Sequence, residues 1–450
     1  MSNYIAAIDL GTTKVVTILG EKSSNGRFRI AAYSDADSSG VRRGQVENIQ
    51  HVIEAIKPTL QTVKKNAGIE NIPEVFVGIA GQHIRCIESR ADVTRKAYDV
   101  EISEDEIKRL ETDMYKIRME PGEEVLHVIP QHYSVDDSHG VSDPVGRLGQ
   151  RLSGNFHVII GKTSSVQHTE LCIKRLGLSQ KRLILEPLAS AHAVLNEDEK
   201  EMGVAMIDMG GGTTDLAVYH DKIVRHTAVI PFGGNIITED IKKGCEILLR
   251  QAEQVKVQYG SCLASMAPEN KVIAIPGIAG RESREIGFKS LASIIEARLD
   301  EIIGTVMLEI NRSGYAKKLG AGIVLTGGGS KMKDLLGFIK LKTGMDVRLG
   351  KPEYTTSDSA IEILQPKYST AVGLIMCGAD YLQGNQILSY GDVDNKINKD
   401  KANEAIELKN NAIVTEVTPR NEVTTPEQKP KKGLMQVVLD FFEESKDEKI

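Results

Sequence analysis

The chain has 450 residues, of which 41% are hydrophobic, a length that suggests roughly three domains with sizeable cores. A formal net charge of −6 leaves no global basic footprint, so nucleic acid is not an expected partner. Five scattered cysteines without CxxC or metal spacing exclude a disulfide framework. With no cleavable apolar signal and no run of the ~18–20 apolar residues that cross a membrane, they point to a cytoplasmic protein unless something else attaches it.

Residues 1–84 alternate strands with one helix, over 49–67, which Pro58 should kink and Gly68 should end. The first strand, 4–8, runs into Asp9-Leu10-Gly11-Thr12-Thr13-Lys14, and a second apolar run follows at 15–19. This reads as strand, tight turn, strand. From about 85 to 161 the texture becomes β-rich, with one helix announced by the capping box Ser103-x-x-Glu106. We expect an inserted or separate subdomain there.

A second α/β half is expected from about residue 162. Its strand at 182–185 leads into Glu186-Pro187, and the run 204–207 leads into Asp208-Met209-Gly210-Gly211-Gly212-Thr213-Thr214-Asp215. That segment repeats the logic of the first hairpin. Residues 231–319 form a lobe with two long amphipathic helices, near 238–259 and 290–313. The chain then returns to a buried strand that ends in Gly327-Gly328-Gly329, and a small-residue helix starts at 369–374. Residues 391–432 read as a flexible linker with a reach of roughly 35 Å. Beyond it, Leu434, Met435, Val437, Val438, Phe441 and Phe442 share one helical face, opposite Gln436, Asp440, Glu443 and Glu444. This segment is too short to span a bilayer. It could lie in a membrane surface, dock on the protein's own body, or enter a partner's groove.

The chemistry of the two hairpins is specific. Glycine lets backbone amides approach an anion, threonine hydroxyls add donors, and an aspartate beside such a turn suits a hydrated Mg2+. Two of them could grip a nucleotide triphosphate from both sides. The glycines at 327–329 leave room for a base or ribose against the backbone. Other nucleotide motifs fail on spacing. Gly161-Lys162-Thr163 would need a glycine where Phe156 stands, and Gly320-Ala321-Gly322 would need one at Leu325.

In this order, these segments resemble the phosphate-1, phosphate-2 and adenosine motifs of the actin, Hsp70 and sugar-kinase superfamily. Glu186-Pro187 and 369–374 resemble its two connecting helices. Within the superfamily, His127-Val128-Ile129-Pro130, Tyr133, Asp136, Asp137, the run from Asp143 to Gly149 and His157-Val158-Ile159 resemble the 1C subdomain of the FtsA family of actin-like bacterial division proteins. Pro231-Phe232-Gly233-Gly234-Asn235 and Ala252-Glu253-Gln254-Val255-Lys256 also match it.

The resemblance implies an α/β, two-lobed actin-like ATPase fold of duplicated RNase H-like halves, with an inserted 1C (SHS2-like) subdomain and a disordered C-terminal tail. Lobe 1 would be residues 1–84 completed by about 372–390, the insert 85–161, lobe 2 residues 162–230 completed by about 320–371, and subdomain 2B 231–319. A terminal amphipathic helix would occupy 433–445.

It further implies ATP and Mg2+ as cofactors. Asp9 and Asp208 would hold the metal through water. Gly11, Thr12, Thr13, Gly210, Gly211, Gly212, Thr213 and Thr214 would cradle the phosphates, with Lys14 adding charge. Glu253 would bond the ribose, Lys256 would flank the base, and Gly327, Gly328 and Gly329 would pack on the adenosine, with Gly233 and Gly234 in the same cofactor set. Glu186 stands where relatives orient the attacking water, although a carboxylate at a helix start has a structural reading too. The implied partners are the C-terminal peptide of the tubulin-like FtsZ, paired by Arg298, further copies of the chain in an actin-like polymer, and the membrane surface. The implied place is the cytoplasmic face of the plasma membrane at the division septum, with at most weak ATP hydrolysis. A sugar or acetate kinase on the same core is the alternative, and a chaperone of the Hsp70 type or a pilus-assembly relative are further rivals.

Overall fold

The computed structural model describes residues 4–23, 27–72, 74–95, 99–277 and 282–383. The architecture is built on two five-stranded sheets of matching design. The first runs in the order Ser179–Leu185, Glu74–Ile79, Tyr4–Leu10, Lys14–Lys22, Phe28–Asp37. The second runs Ile223–Ile230, Thr214–His220, Val204–Met209, Ile323–Thr326, Val347–Leu349. In each, three strands form an antiparallel meander and the remaining pairings are parallel. The central strands are buried almost end to end. That burial explains their unbroken apolar runs, since a strand covered on both faces has no reason to alternate.

The second half does not begin near residue 162. Helix Thr163–Arg175 carries the chain back, and Ser179–Leu185 pairs parallel with Glu74–Ile79 in the first sheet. A parallel pair needs a crossover, and this helix supplies it. The inserted subdomain therefore interrupts a crossover of the first lobe, and the second lobe starts only after Leu185. The insert is an antiparallel sheet ordered Arg85–Thr94, Arg151–Lys162, Glu123–Val135, Ser138–Val141, packed by helix Glu104–Met114. Ser103 and Glu106 form the expected reciprocal cap.

Helix Ile49–Ala67 is capped by the Asn48 side chain, runs unbroken through Pro58, and ends at left-handed Gly68. The helix expected over 238–259 is two helices, Gly234–Cys245 and Leu249–Tyr259, because Glu246 turns left-handed at φ 50° and stops the first. Phe288–Arg312 is a single helix of 25 residues. Two helices link the lobes, Glu186–Val194 and Ser369–Gln383. Gly373 lies so close to the Ala189 backbone that no Cβ fits between them. Among the described residues no helix is long and apolar enough to cross a membrane. The linker at 391–432 and the helix expected at 433–445, with Leu434, Met435, Val437, Val438, Phe441 and Phe442, lie outside the described residues.

Candidate nucleotide site

Each hairpin delivers an aspartate to the same cleft. Asp9 sits one residue before the end of its strand, opposite Val16. Asp208 holds the equivalent place and faces Asp215 across the second hairpin. The turn between them is closed by the Gly210 amide donating to the Thr213 carbonyl at 2.9 Å. A cleft of about 360 Å3 opens here, within the ~300–1,000 Å3 typical of small-molecule sites.

The cleft brings together most of the residues anticipated from sequence: Asp9, Gly11, Thr12, Thr13, Lys14, Glu186, Asp208, Gly210, Gly211, Gly212, Thr213, Gly234, Glu253, Lys256, Gly327, Gly328 and Gly329. Two others do not line it. The Thr214 side chain turns inward, fully buried, and donates to the Phe232 carbonyl at 2.8 Å. A Cβ on Gly233 would come within 2.6–2.8 Å of the Gly210, Gly211 and Thr213 carbonyls. Its bareness lets the next helix lie on the turn, where Gly234 and Asn235 amides donate to the Gly210 and Gly211 carbonyls at 2.9 and 2.8 Å. Thr214 and Gly233 therefore build the second turn from behind.

The glycines themselves serve close contact. A Cβ on Gly211 would strike the Thr13 hydroxyl, and one on Gly212 the Thr12 hydroxyl, so the two turns meet face to face. Gly327 has φ 88°, and a Cβ there would run into Asp208 Oδ1.

Glu253 and Lys256 are tied to each other. Lys256 Nζ lies 2.7 Å from Glu253 Oε2 and donates to Thr238 Oγ1 and the Gly234 carbonyl at 2.8 and 3.0 Å. Arg298 does not line the cleft. Its fork engages Asp240, at 2.5 and 3.1 Å, and Glu301. The arginine expected to await a peptide carboxylate already has carboxylates from its own chain.

The electrostatics single out four buried carboxyl groups, Asp9, Glu186, Asp208 and Asp215. Burial, reinforced by Asp9, Asp215 and Asp208, holds Glu186 well above the usual carboxylate range. Burial also raises Asp9 to about 6, with the nearby Lys14 opposing and Asp208 adding to the rise. Asp208 is raised by burial although Ser190 and Thr370 hydroxyls donate to it at 2.6 and 3.2 Å. Asp215 is pushed well up by burial and by Asp208, and its Oδ1 has no hydrogen-bond partner. Lys14 faces this cluster. Burial lowers it to about 8; its ammonium donates to the Lys367 carbonyl and stands 4.0 Å from the Tyr368 ring centre. Lys256, Lys331, Lys333 and Lys367 line the cleft as well, and the buried carboxyl groups offer hard oxygen donors of the kind Mg2+ takes. Among the described residues no three acidic, histidine or cysteine groups converge as direct ligands. A hydrated Mg2+, which binds through few carboxylates and keeps its waters, is compatible with the oxygen donors of this set.

Sequence reasoning missed Asp215, Ser190 and Thr370. Asp215 was legible in principle, because a hairpin register places it opposite Asp208. Ser190 and Thr370 sit in the small-residue linking helices, where nothing local sets a functional hydroxyl apart.

The match to known proteins follows the same map. The family model "Cell division protein FtsA" matches residues 205–373, and "SHS2 domain inserted in FTSA" matches 81–160. The cell division protein FtsA of Neisseria meningitidis serogroup B is 39% identical over 383 residues, which is 85% of this chain and 91% of that protein. The chain belongs to the FtsA family. It is a cell division protein, and this replaces the small-molecule kinase considered from sequence. FtsA of Pseudomonas aeruginosa is 38% identical, covering 83% of this chain and 89% of its own, and FtsA of Escherichia coli K12 is 32% identical, covering 84% and 90%. Solved structures share the fold at lower identity. The PilM–PilN type IV pilus biogenesis complex superposes with TM-score 0.56 at 16% identity, covering 83% of this chain and 98% of that one. MreB5 of Spiroplasma citri bound to AMPPNP superposes with TM-score 0.52 at 13%, covering 86% and 98%. The α/β actin-like fold with an SHS2 insert is thus borne out.

Proposed function

We propose that this FtsA-family chain binds Mg·ATP in the cleft, assembles like actin, and tethers FtsZ filaments to the cytoplasmic face of the plasma membrane at the division septum. The observation that carries the nucleotide reading is the cluster of four buried carboxyl groups enclosed by two side-chain-poor turns. The solved structures of MreB5 bound to ADP and to AMPPNP support a nucleotide on this fold. Asp9 and Asp208 would hold the cation through its water shell, and the unpartnered Asp215 Oδ1 adds an acceptor for that shell. Amides of Gly11 to Thr13 and of Gly211 to Thr213, with the Thr12, Thr13 and Thr213 hydroxyls, offer donors to phosphate oxygens. Lys14 adds charge beside them. The bound cation would supply the positive charge that the carboxylates and phosphates lack. Glu186, whose carboxyl burial and the neighbouring aspartates hold above the usual carboxylate range, would fix a water facing the phosphates, with slow hydrolysis at most. The glycines at 327–329 would lie against adenosine, with Lys256 and Glu253 bordering the ribose side.

The tether reading rests on the sequence of the tail. One short apolar face, formed by Leu434, Met435, Val437, Val438, Phe441 and Phe442, binds lipid weakly. A polymer presenting many copies binds strongly through effective concentration. Arg298, on the helix proposed to line the FtsZ-peptide pocket, would exchange Asp240 or Glu301 for a peptide carboxylate. The deciding experiment is titration of the purified chain with a fluorescent ATP analogue, with and without Mg2+. Magnesium-dependent binding is expected, and no binding with magnesium in excess sinks the reading. Removal of residues 433–450 should abolish sedimentation with lipid vesicles and leave ATP binding intact.

A further inference from the structure

The insert touches both lobes, and one of its contacts lands beside the cleft. Strand Ser179–Leu185 ends where helix Glu186–Val194 begins, and Leu185 takes the N-cap position with no side-chain hydrogen bond to the first turn. Its own amide donates to His127 Nε2 of the insert at 3.1 Å. His127 and Leu185 are both buried, at 3% and 0% exposure, so bulk water is no substitute for this acceptor. The ring accepts there as the neutral imidazole protonated at Nδ1. Burial, aided by Arg182, pushes His127 down to about 4, so that form persists at neutral pH.

The residue after Leu185 is Glu186, and it has little slack. A Cβ on Gly78 would already lie 3.1 Å from Glu186 Cγ and Oε1. A shift of the backbone at Leu185 is therefore passed to the carboxyl group. Four residues beyond His127, Gln131 Nε2 of the side-chain amide donates to the Val224 carbonyl, on the edge strand of the second sheet, at 2.7 Å. On the same edge, Thr227 Oγ1 lies 3.2 Å from His157 Nε2 and 3.1 Å from Cys86 Sγ. Strand Glu123–Val135 is thus pinned to the residue before Glu186 at one point and to the second lobe at another.

We propose that His127 is a positioning residue for Glu186, through which the inserted subdomain and the nucleotide cleft are coupled. The inference rests on the nucleotide reading of that cleft. Coupling of this kind is reciprocal: a contact that moves the strand changes the cleft, and nucleotide in the cleft changes the strand.

The test is amide hydrogen exchange on the full chain, for wild type, His127→Leu and His127→Gln, each with and without Mg·AMPPNP. Without nucleotide, His127→Leu should speed exchange at Leu185 by about tenfold or more, while His127→Gln, which retains an acceptor, keeps it near wild type. With nucleotide, strand Glu123–Val135 should gain protection in wild type and His127→Gln and not in His127→Leu. Leu185 protection that is lost in His127→Leu while the strand still answers to nucleotide would make His127 a structural residue and overturn the proposal. So would a wild-type strand that does not respond to bound nucleotide, a comparison that needs no variant should His127→Leu not fold. Wild type that binds no nucleotide defeats the reading of the cleft itself. Binding without coupling defeats this inference alone.

Discussion

Replacing Asp9 by asparagine should stabilise the nucleotide-free, metal-free protein. Burial raises this carboxyl from its ordinary 3.8 to about 6. At about 1.36 kcal/mol per pH unit, that difference makes the ionised group cost the fold about 3 kcal/mol. The sign follows from proton counting. Between pH 3.8 and about 6 the folded state holds more protons than the unfolded one, so stability falls as pH rises through this window and the penalty is complete above it. Lys14 works in the opposite sense, lowered from 10.5 to about 8. Its charged form burdens the fold below about 8, and stability returns as pH climbs from there towards 10.5. The apo protein is therefore burdened by both groups between about pH 6 and 8. Urea unfolding in EDTA, at pH values from 4 to 8, isolates Asp9 by difference. Asp9→Asn should be more stable by about 3 kcal/mol at pH 7 and should lose that advantage by about pH 4, while its Mg2+-dependent ATP binding collapses. Equal stability at pH 7, or an advantage that survives acidification, would refute the argument.

Three other substitutions probe separate parts of the site. Gly327→Ala places a Cβ at positive φ against Asp208; it should cost about 1–3 kcal/mol in thermal unfolding and weaken nucleotide binding. Asp215→Asn removes a buried charge whose Oδ1 is unpartnered. It should raise apo stability while making nucleotide affinity less responsive to Mg2+ in a titration. Arg298→Ala leaves Asp240 without its bidentate partner. It should cost about 1 kcal/mol of stability, as partly exposed pairs do, and abolish capture of an FtsZ C-terminal peptide in an anisotropy assay without touching ATP affinity.

The hairpins were legible because each needs a local signature: an apolar run, an aspartate, a bare turn and a second run. Burial on both faces made the central strands continuous in apolar character, so their type was plain. What the sequence could not reveal is which sheet a strand joins. Nothing local to Ser179–Leu185 says that it joins the first sheet while Val204–Met209 joins the second, because pairing is decided by crossovers and not by composition. Thr213 and Thr214 were assigned to one role. Alternation along a strand sends neighbours to opposite faces, and the structure gives Thr213 to the cleft and Thr214 to the interior. The break at Glu246 was hidden because apolar positions continue across it at helical spacing.

Burying four carboxyl groups close together is costly, and stability alone would favour amides or apolar groups in their place. The surrounding structure offsets that cost only in part. Gly327 is left bare where it abuts Asp208, Gly78 where it meets Glu186, and two hydroxyls turn to Asp208 as donors. These features leave the carboxyl groups crowded together, the opposite of what a self-sufficient core requires. Such an arrangement is explained if a cation that these carboxyl groups take up arrives with a ligand. The free energy withheld from the apo fold is then regained on binding, and closure of the two lobes depends on what occupies the cleft.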